Sequence, residues 1–147
     1  MCRMRVLTVI SLSLLTLGAA SCSQMGRVRS TFGGGVSLLS TGLVGWQQID
    51  GNDGQWKVAN GVLYTEGGKG WLSTVRQYDD FVLSLEFKVS PGGNSGVFIR
   101  APHEGDPAYQ GMEIQILDDG AEAWATLRPE QYTAAIYDVQ APSDRAS

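Results

Sequence analysis

From Phe81 to Val89 the chain alternates with a period of two. Phe81, Leu83, Leu85, Phe87 and Val89 interleave with Val82, Ser84, Glu86 and Lys88. One face of such a segment is wholly apolar and the other mixed, which is the pattern of a half-buried β-strand and does not fit the 3.6-residue stripe of a helix. A strand of this kind needs partners, and the flanking sequence supplies short, strand-like runs separated by turn formers. "WKVANGVLYTE" (56–66) carries two runs around Asn60-Gly61, a dipeptide suited to the two positive-φ positions of a type I′ hairpin. "WLSTV" (71–75) follows the turn "GGKG", and "DGNDG" (50–54) precedes the hairpin.

Beyond the long alternation, "PGGN" (91–94) is a turn and "SGVFIR" (95–100) a strand that buries Val97 and Ile99 on one face and sets Phe98 beside Arg100 on the other. "MEIQILDDG" (112–120) sends Glu113, Gln115 and Leu117 one way and Met112, Ile114, Ile116 and Asp118 the other. "EAWATLRPEQ" reads as a helical turn and "YTAAIYDV" (132–139) as a last strand. No amphipathic helix of ordinary length is present, and the nineteen glycines cluster at turns. The expected fold is all-β, an antiparallel β-sandwich. Its expected core is Phe81, Leu83, Leu85, Phe87, Val97, Ile99, Ile114 and Ile116, with Trp46, Trp56, Trp71 and Trp124 also inside.

A chain of 147 residues fits one domain, and no run of Lys or Arg follows residue 30, so nucleic acid is not an expected partner. The first residues read as an export signal. Arg3 and Arg5 precede an apolar stretch from Val6 to Leu17, then small residues from Gly18 to Ser21, then Cys22. That order resembles the lipobox of bacterial lipoproteins, although Ala19 stands where Leu is preferred. The resemblance implies a signal over 1–21, acylation of Cys22 as the new N-terminus, and an exported protein of the bacterial envelope held to the membrane by lipid alone. Cleavage would remove Arg3, Arg5 and Cys2, taking the formal charge from −4 to −6 and leaving a single cysteine. Residues 22–42, polar and glycine-rich, are expected to be a tether, with the domain from 43 to 147.

The residues that carry chemistry each have a bland alternative. Asn94, Ser95 and Gly96 suit a turn as well as a cleft rim. Phe98 beside Arg100 offers a ring to pack on and a fork of donors for hydroxyls or a carbonyl. Glu113 and Gln115 share the polar side of their strand. Asp118 and Asp119 suit a turn or a site equally. His103, Glu104 and Asp106 lie in one loop without a recognised ligand spacing, and read as a solvated loop before a divalent-metal site.

Four blocks in order, "WKVANGVLYTEGGKGWLST", "YDDFVLSLEFKVSPGGNSGVFIRAP", "DPAYQGMEIQILDD" and "LRPEQYTAAIYDVQAPS", resemble the 3-keto-disaccharide hydrolase family, from about Trp46 to Ser143. The resemblance implies a concanavalin-like jelly roll with a concave sugar-binding face. It carries Glu113 over as catalytic base with Arg100 as its catalytic partner, and Asn94, Phe98, Gln115, Asp118 and Tyr137 as substrate-binding residues. The family usually has glycine and a small polar residue where this chain has Ala134 and Ala135. Family domains also continue past this point, so an incomplete sandwich is expected.

An ordinary glycosidase sets two carboxylates about 5–5.5 Å or 6.5–9.5 Å apart, and no convincing second carboxylate partners Glu113. A 3-keto sugar needs only one base. The ketone acidifies the C2 proton, and the resulting enolate expels the oxygen at C1. A base beside Arg100 is expected to have a lowered pKa. A divalent metal could replace or assist Arg100, with ligands the sequence does not identify. The competing expectations are a non-catalytic carbohydrate-binding module on the same sandwich, or an inactive fragment.

Overall fold

The computed structural model describes residues 2–7 and 35–144. The described residues form eight strands: β1 (Cys2–Leu7), β2 (Trp46–Ile49), β3 (Trp56–Ala59), β4 (Val62–Thr65), β5 (Trp71–Thr74), β6 (Ser84–Lys88), β7 (Asn94–Ile99) and β8 (Met112–Leu117). The only α-helix among the described residues is the single turn α1 (Pro107–Gln110). Every strand pairing is antiparallel, in one four-stranded sheet ordered β3-β4-β1-β6 and two pairs, β2-β5 and β7-β8. The fold is the expected all-β, antiparallel architecture, with almost no helix.

The hairpin lies where Asn60-Gly61 predicts it. Ala59 pairs with Val62, and the two loop residues have φ of 53° and 71°. Both values match the type I′ turn, whose twist follows that of the flanking strands. Asn tolerates the left-handed region better than most side chains, which is why this dipeptide recurs at such turns. "EAWATLRPEQ" forms two 3₁₀ turns, Glu122–Trp124 and Pro129–Gln131.

"YTAAIYDV" does not form a continuous strand. It touches the free edge of β8 through Ala134 N to Gln115 O (2.9 Å), Gln115 N to Ala135 O (3.0 Å) and Tyr137 N to Glu113 O (2.9 Å). Ala134 and Asp138 have φ of 69° and 56°, and these two kinks limit the pairing to an isolated bridge between Ile114 and Ile136. An alanine in the left-handed region costs roughly 1–2 kcal/mol because its Cβ crowds the following carbonyl. Ala134 is exposed, so its methyl contributes no packing in return. Ala134→Gly is therefore expected to stabilise the domain by about 1 kcal/mol, part of the relief being offset by the freer unfolded chain. Thermal denaturation checks this, and a midpoint equal to or below that of the parent contradicts it.

The first hydrophobic cluster centres on Leu39 and Leu63, 5% and 1% exposed, with Leu43, Trp46, Trp56, Val58, Leu72 and Leu83 packed against them. Ile116, Leu117, Tyr132 and Ala135 are the other buried hydrophobic residues among the described residues. Two expectations need correction. Leu39, assigned to the tether, packs into the first cluster, so the domain's packing begins before residue 43. Phe81 and Phe87, assigned to the core, are 36% and 44% exposed. The alternation of their strand is real, with Leu83 and Leu85 half-buried. Phe81, Leu83 and Leu85, however, border an open cleft.

The region expected to begin an export signal supplies β1, which lies between β4 and β6 with Met4 opposite Leu63 and Phe87, and Arg5 opposite Glu86. The apolar stretch after Leu7, the small residues 18–21 and Cys22 lie outside the described residues.

Candidate functional site

A cleft of about 950 Å³ separates the β2-β5 pair from the β7-β8 pair, with Leu63, Trp71, Gly96, Phe98, Arg100 and Glu113 among its walls. The register of β7 and β8 builds its chemical face. Phe98 lies directly opposite Glu113, and Gly96 opposite Gln115. Directly opposed residues of an antiparallel pair project from the same face, so Phe98 and Glu113 stand side by side. Phe98 meets Trp71 of β5 edge to face, with ring centroids 6.3 Å apart and planes at 76°. That contact turns this face of the β7-β8 pair toward β5.

Glu113 leans diagonally from β8 onto β7, over Gly96. A Cβ built at position 96 would overlap Oε1 and Cδ of Glu113. The glycine is required here by close approach, since its φ is ordinary. The carboxyl is half-buried and, among the described residues, has neither a hydrogen bond nor an ion pair. Burial, and secondarily the charge of Asp106, push its pKa up from 4.5 to about 7.

This reverses the expected lowering beside Arg100. Arg100 adopts φ of 59° just past β7 and sends Nη2 to the backbone oxygen of Asp79, 3.0 Å away. Its guanidinium lines the cleft without pairing with Glu113. Because the folded protein holds the Glu113 proton more tightly than the unfolded chain, the associated stability is fully present below pH 4.5. It is lost as pH rises through about 7. Wild type should therefore lose stability between those pH values relative to Glu113→Gln, which cannot ionise. Parallel urea melts across the range check this, and a constant difference between the two proteins contradicts it.

The other expected site residues divide. Asn94 is exposed on the cleft wall at the start of β7. Gln115 is only 3% exposed and does not reach the cleft. Its Nε2 donates to Gln131 O (3.4 Å) and its Oε1 accepts from Ile116 N (3.1 Å), so it ties β8 to the segment alongside. Asp118 accepts from Gly92 N at 2.7 Å and fastens the Pro91–Gly93 turn. Tyr137 stacks edge to face on Tyr109 with centroids 6.3 Å apart, and its hydroxyl accepts from Gln131 Nε2. Neither Asp118 nor Tyr137 borders the cleft. Gln115, Asp118 and Tyr137 therefore support the fold around the site rather than contact a ligand in this cleft.

The cleft has further members. Trp71, taken for core, is a wall residue. Arg76 and Tyr78 line the cleft with the guanidinium 5.1 Å from the ring centre. His103 stands on its rim against Gln47 and Ser73. Among the described residues no group of three or more His, Cys, Asp or Glu side chains is placed to hold a metal ion. Asp106, from the loop weighed for that role, instead accepts from Ala108 N at 3.0 Å and caps α1.

An all-β cleft with an aromatic wall, arginine donors and one unpaired carboxyl that titrates near neutrality is suited to a polar ring and to proton transfer by a single base. The chain belongs to the family described as the 3-keto-alpha-glucoside-1,2-lyase-like domain, whose model matches residues 34–147. Comparison with curated proteins and with solved structures gave no match.

Proposed function

We propose that this chain carries the active site of an exported enzyme that cleaves 3-keto-glycosides by elimination, on a sandwich of the concanavalin-like jelly-roll type. The observation that carries the reading is Glu113: a half-buried, unpaired carboxyl in the cleft wall whose pKa of about 7 suits a base working near neutrality. Family membership supports the substrate class.

In this reading Phe98 and Trp71 pack against the sugar ring. The C3 carbonyl acidifies the C2 proton, which passes to a Glu113 carboxylate oxygen as the C2–H electron pair moves into the enolate. Arg100 donates one N–H to Asp79, and its remaining donors stabilise the charge on the enolate oxygen. Collapse of the enolate re-forms the ketone, makes the C1–C2 double bond and breaks the C1–O bond. The leaving oxygen takes the proton that Glu113 received, directly or through water, which regenerates the carboxylate, and water adds to the enone in a later step. One base serves throughout, in keeping with Glu113 as the one half-buried carboxyl among the described residues lining the cleft.

The test compares a 3-keto-glucoside with the corresponding ordinary glucoside. Release of aglycone from the keto sugar alone is the expected result. Equal turnover of both would remove the keto-sugar reading, and binding without turnover of either would favour a carbohydrate-binding module. Export and lipid anchoring at Cys22 belong to the same proposal, motivated by the order of charged, apolar and small residues before it. Processing there would also remove β1 and expose the edges of β4 and β6. Mass spectrometry of the protein from its native host decides this: an acylated N-terminal Cys22 is expected, and a retained Met1 or Cys2 contradicts it.

A further inference from the structure

The loop 101–106 leaves β7, passes the mouth of the cleft and ends at α1. Its middle is fastened to the opposite wall. Gln47 Nε2, from β2, lies 3.1 Å from His103 Nε2 and 3.3 Å from Nδ1. Ser73 Oγ, from β5, lies 3.4 Å from His103 Nε2. Gln47 and Ser73 are themselves register partners in the β2-β5 pair, so one imidazole meets a cross-strand pair. The loop is held at its two ends as well, by Arg100 on Asp79 O and by Asp106 at the start of α1. Between these anchors only His103 links the loop to the β2-β5 pair by a side-chain hydrogen bond among the described residues.

We infer that His103 is a positioning residue: it stitches the loop 101–106 to the β2-β5 wall and so holds the cleft at the width, and with the shielding from water, that Glu113 requires. The inference deepens the reading of Glu113 as a base and rests on it. Its physical content is a chain of contacts. The imidazole holds the middle of the loop, and the loop carries Asp106, the charge that Glu113 senses. Phe98, adjacent to Glu113, reaches the same opposite wall through Trp71. Releasing the loop would let water reach the Glu113 carboxyl, which favours the ionised form. The other ionisable groups lining this cleft are Tyr64, Glu66, Arg76, Tyr78, Asp79 and Arg100, and none of them is fastened by a side-chain hydrogen bond to His103.

The test reads Glu113 directly and does not depend on turnover. In the full chain labelled with ¹³C at glutamate carboxyl carbons, the Glu113 resonance is assigned by its loss in Glu113→Gln and titrated with pH. His103→Ala is expected to lower the midpoint by about half a unit or more toward 4.5, beyond the scatter of such titrations. His103→Gln, whose amide can still reach Gln47 or Ser73, should restore it. Should His103→Ala fail to fold, Gln47→Leu combined with Ser73→Ala removes the same contacts from the opposite wall and should give the same shift. An unchanged midpoint in either folded variant overturns the stitch. A wild-type midpoint already near 4.5 overturns the stitch together with the reading of Glu113 as a buried base. A wild-type midpoint near 7 without cleavage of any keto-glycoside overturns only the proposed reaction, and leaves the stitch to stand or fall on the variant shift.

Discussion

Glu113→Gln is expected to lower cleavage of a 3-keto-glucoside by ~10²–10⁴-fold, the usual contribution of a general base. The amide preserves the shape that lies over Gly96 but cannot accept the C2 proton. Removing a half-buried carboxylate that has no partner should not cost stability above pH 7; it should add some, because the folded protein no longer holds a charge that burial disfavours. Loss of turnover with an equal or higher melting temperature thus separates the chemical role from a structural one. Steady-state kinetics with matched thermal melts make the measurement. Unchanged turnover would remove Glu113 from the mechanism.

Gly96→Ala is expected to be nearly as damaging, although residue 96 contributes no functional group. Its Cβ would overlap Oε1 and Cδ of Glu113, so the carboxyl must swing off β7. A displacement of about 1 Å in a catalytic group can cost roughly 10²-fold in rate. The pushed-out carboxyl would also be better hydrated, and its pKa should fall from about 7 toward 4.5. The acid limb of the rate profile would then move down with it. The paired signature, a lower maximal rate with a shifted acid limb, distinguishes a moved base from a generally weakened fold. Wild-type kinetics and an unmoved acid limb in Gly96→Ala would show that the space over residue 96 is not where the base works.

The local parts of the architecture were readable from sequence, because they depend on neighbours in the chain. The Asn60-Gly61 hairpin is set by two residues that accept positive φ. The placement of Phe98 and Glu113 on one face follows from period-two alternation along β7 and β8, once their register is known. What depends on the covering of a face was not readable. Gln115 shares its face with Glu113 by alternation, yet the backbone near Gln131 covers it and makes it a structural tie. Phe81 and Phe87 have the pattern of core residues, but Phe81 borders the cleft and Phe87 is exposed. The direction of the Glu113 shift also escaped. Arg100 is near in sequence pattern, but its left-handed backbone turns its guanidinium to Asp79, leaving burial to dominate. Gly96 reads as part of a turn in sequence, and its significance emerges only when the diagonal reach of Glu113 is known.

Hydrogen exchange at C2 tests the central claim most directly, since it reports the proton transfer itself. A 3-keto-glucoside is incubated with the protein in D₂O and followed by NMR as pH is varied. The account predicts deuterium at C2 of recovered substrate, or loss of the C2 proton in step with aglycone release. It further predicts a rate that rises with pH through a midpoint near 7 and falls by ~10²-fold or more in Glu113→Gln. Aglycone release with the C2 proton retained, or C2 exchange that is indifferent to Glu113→Gln, would contradict it.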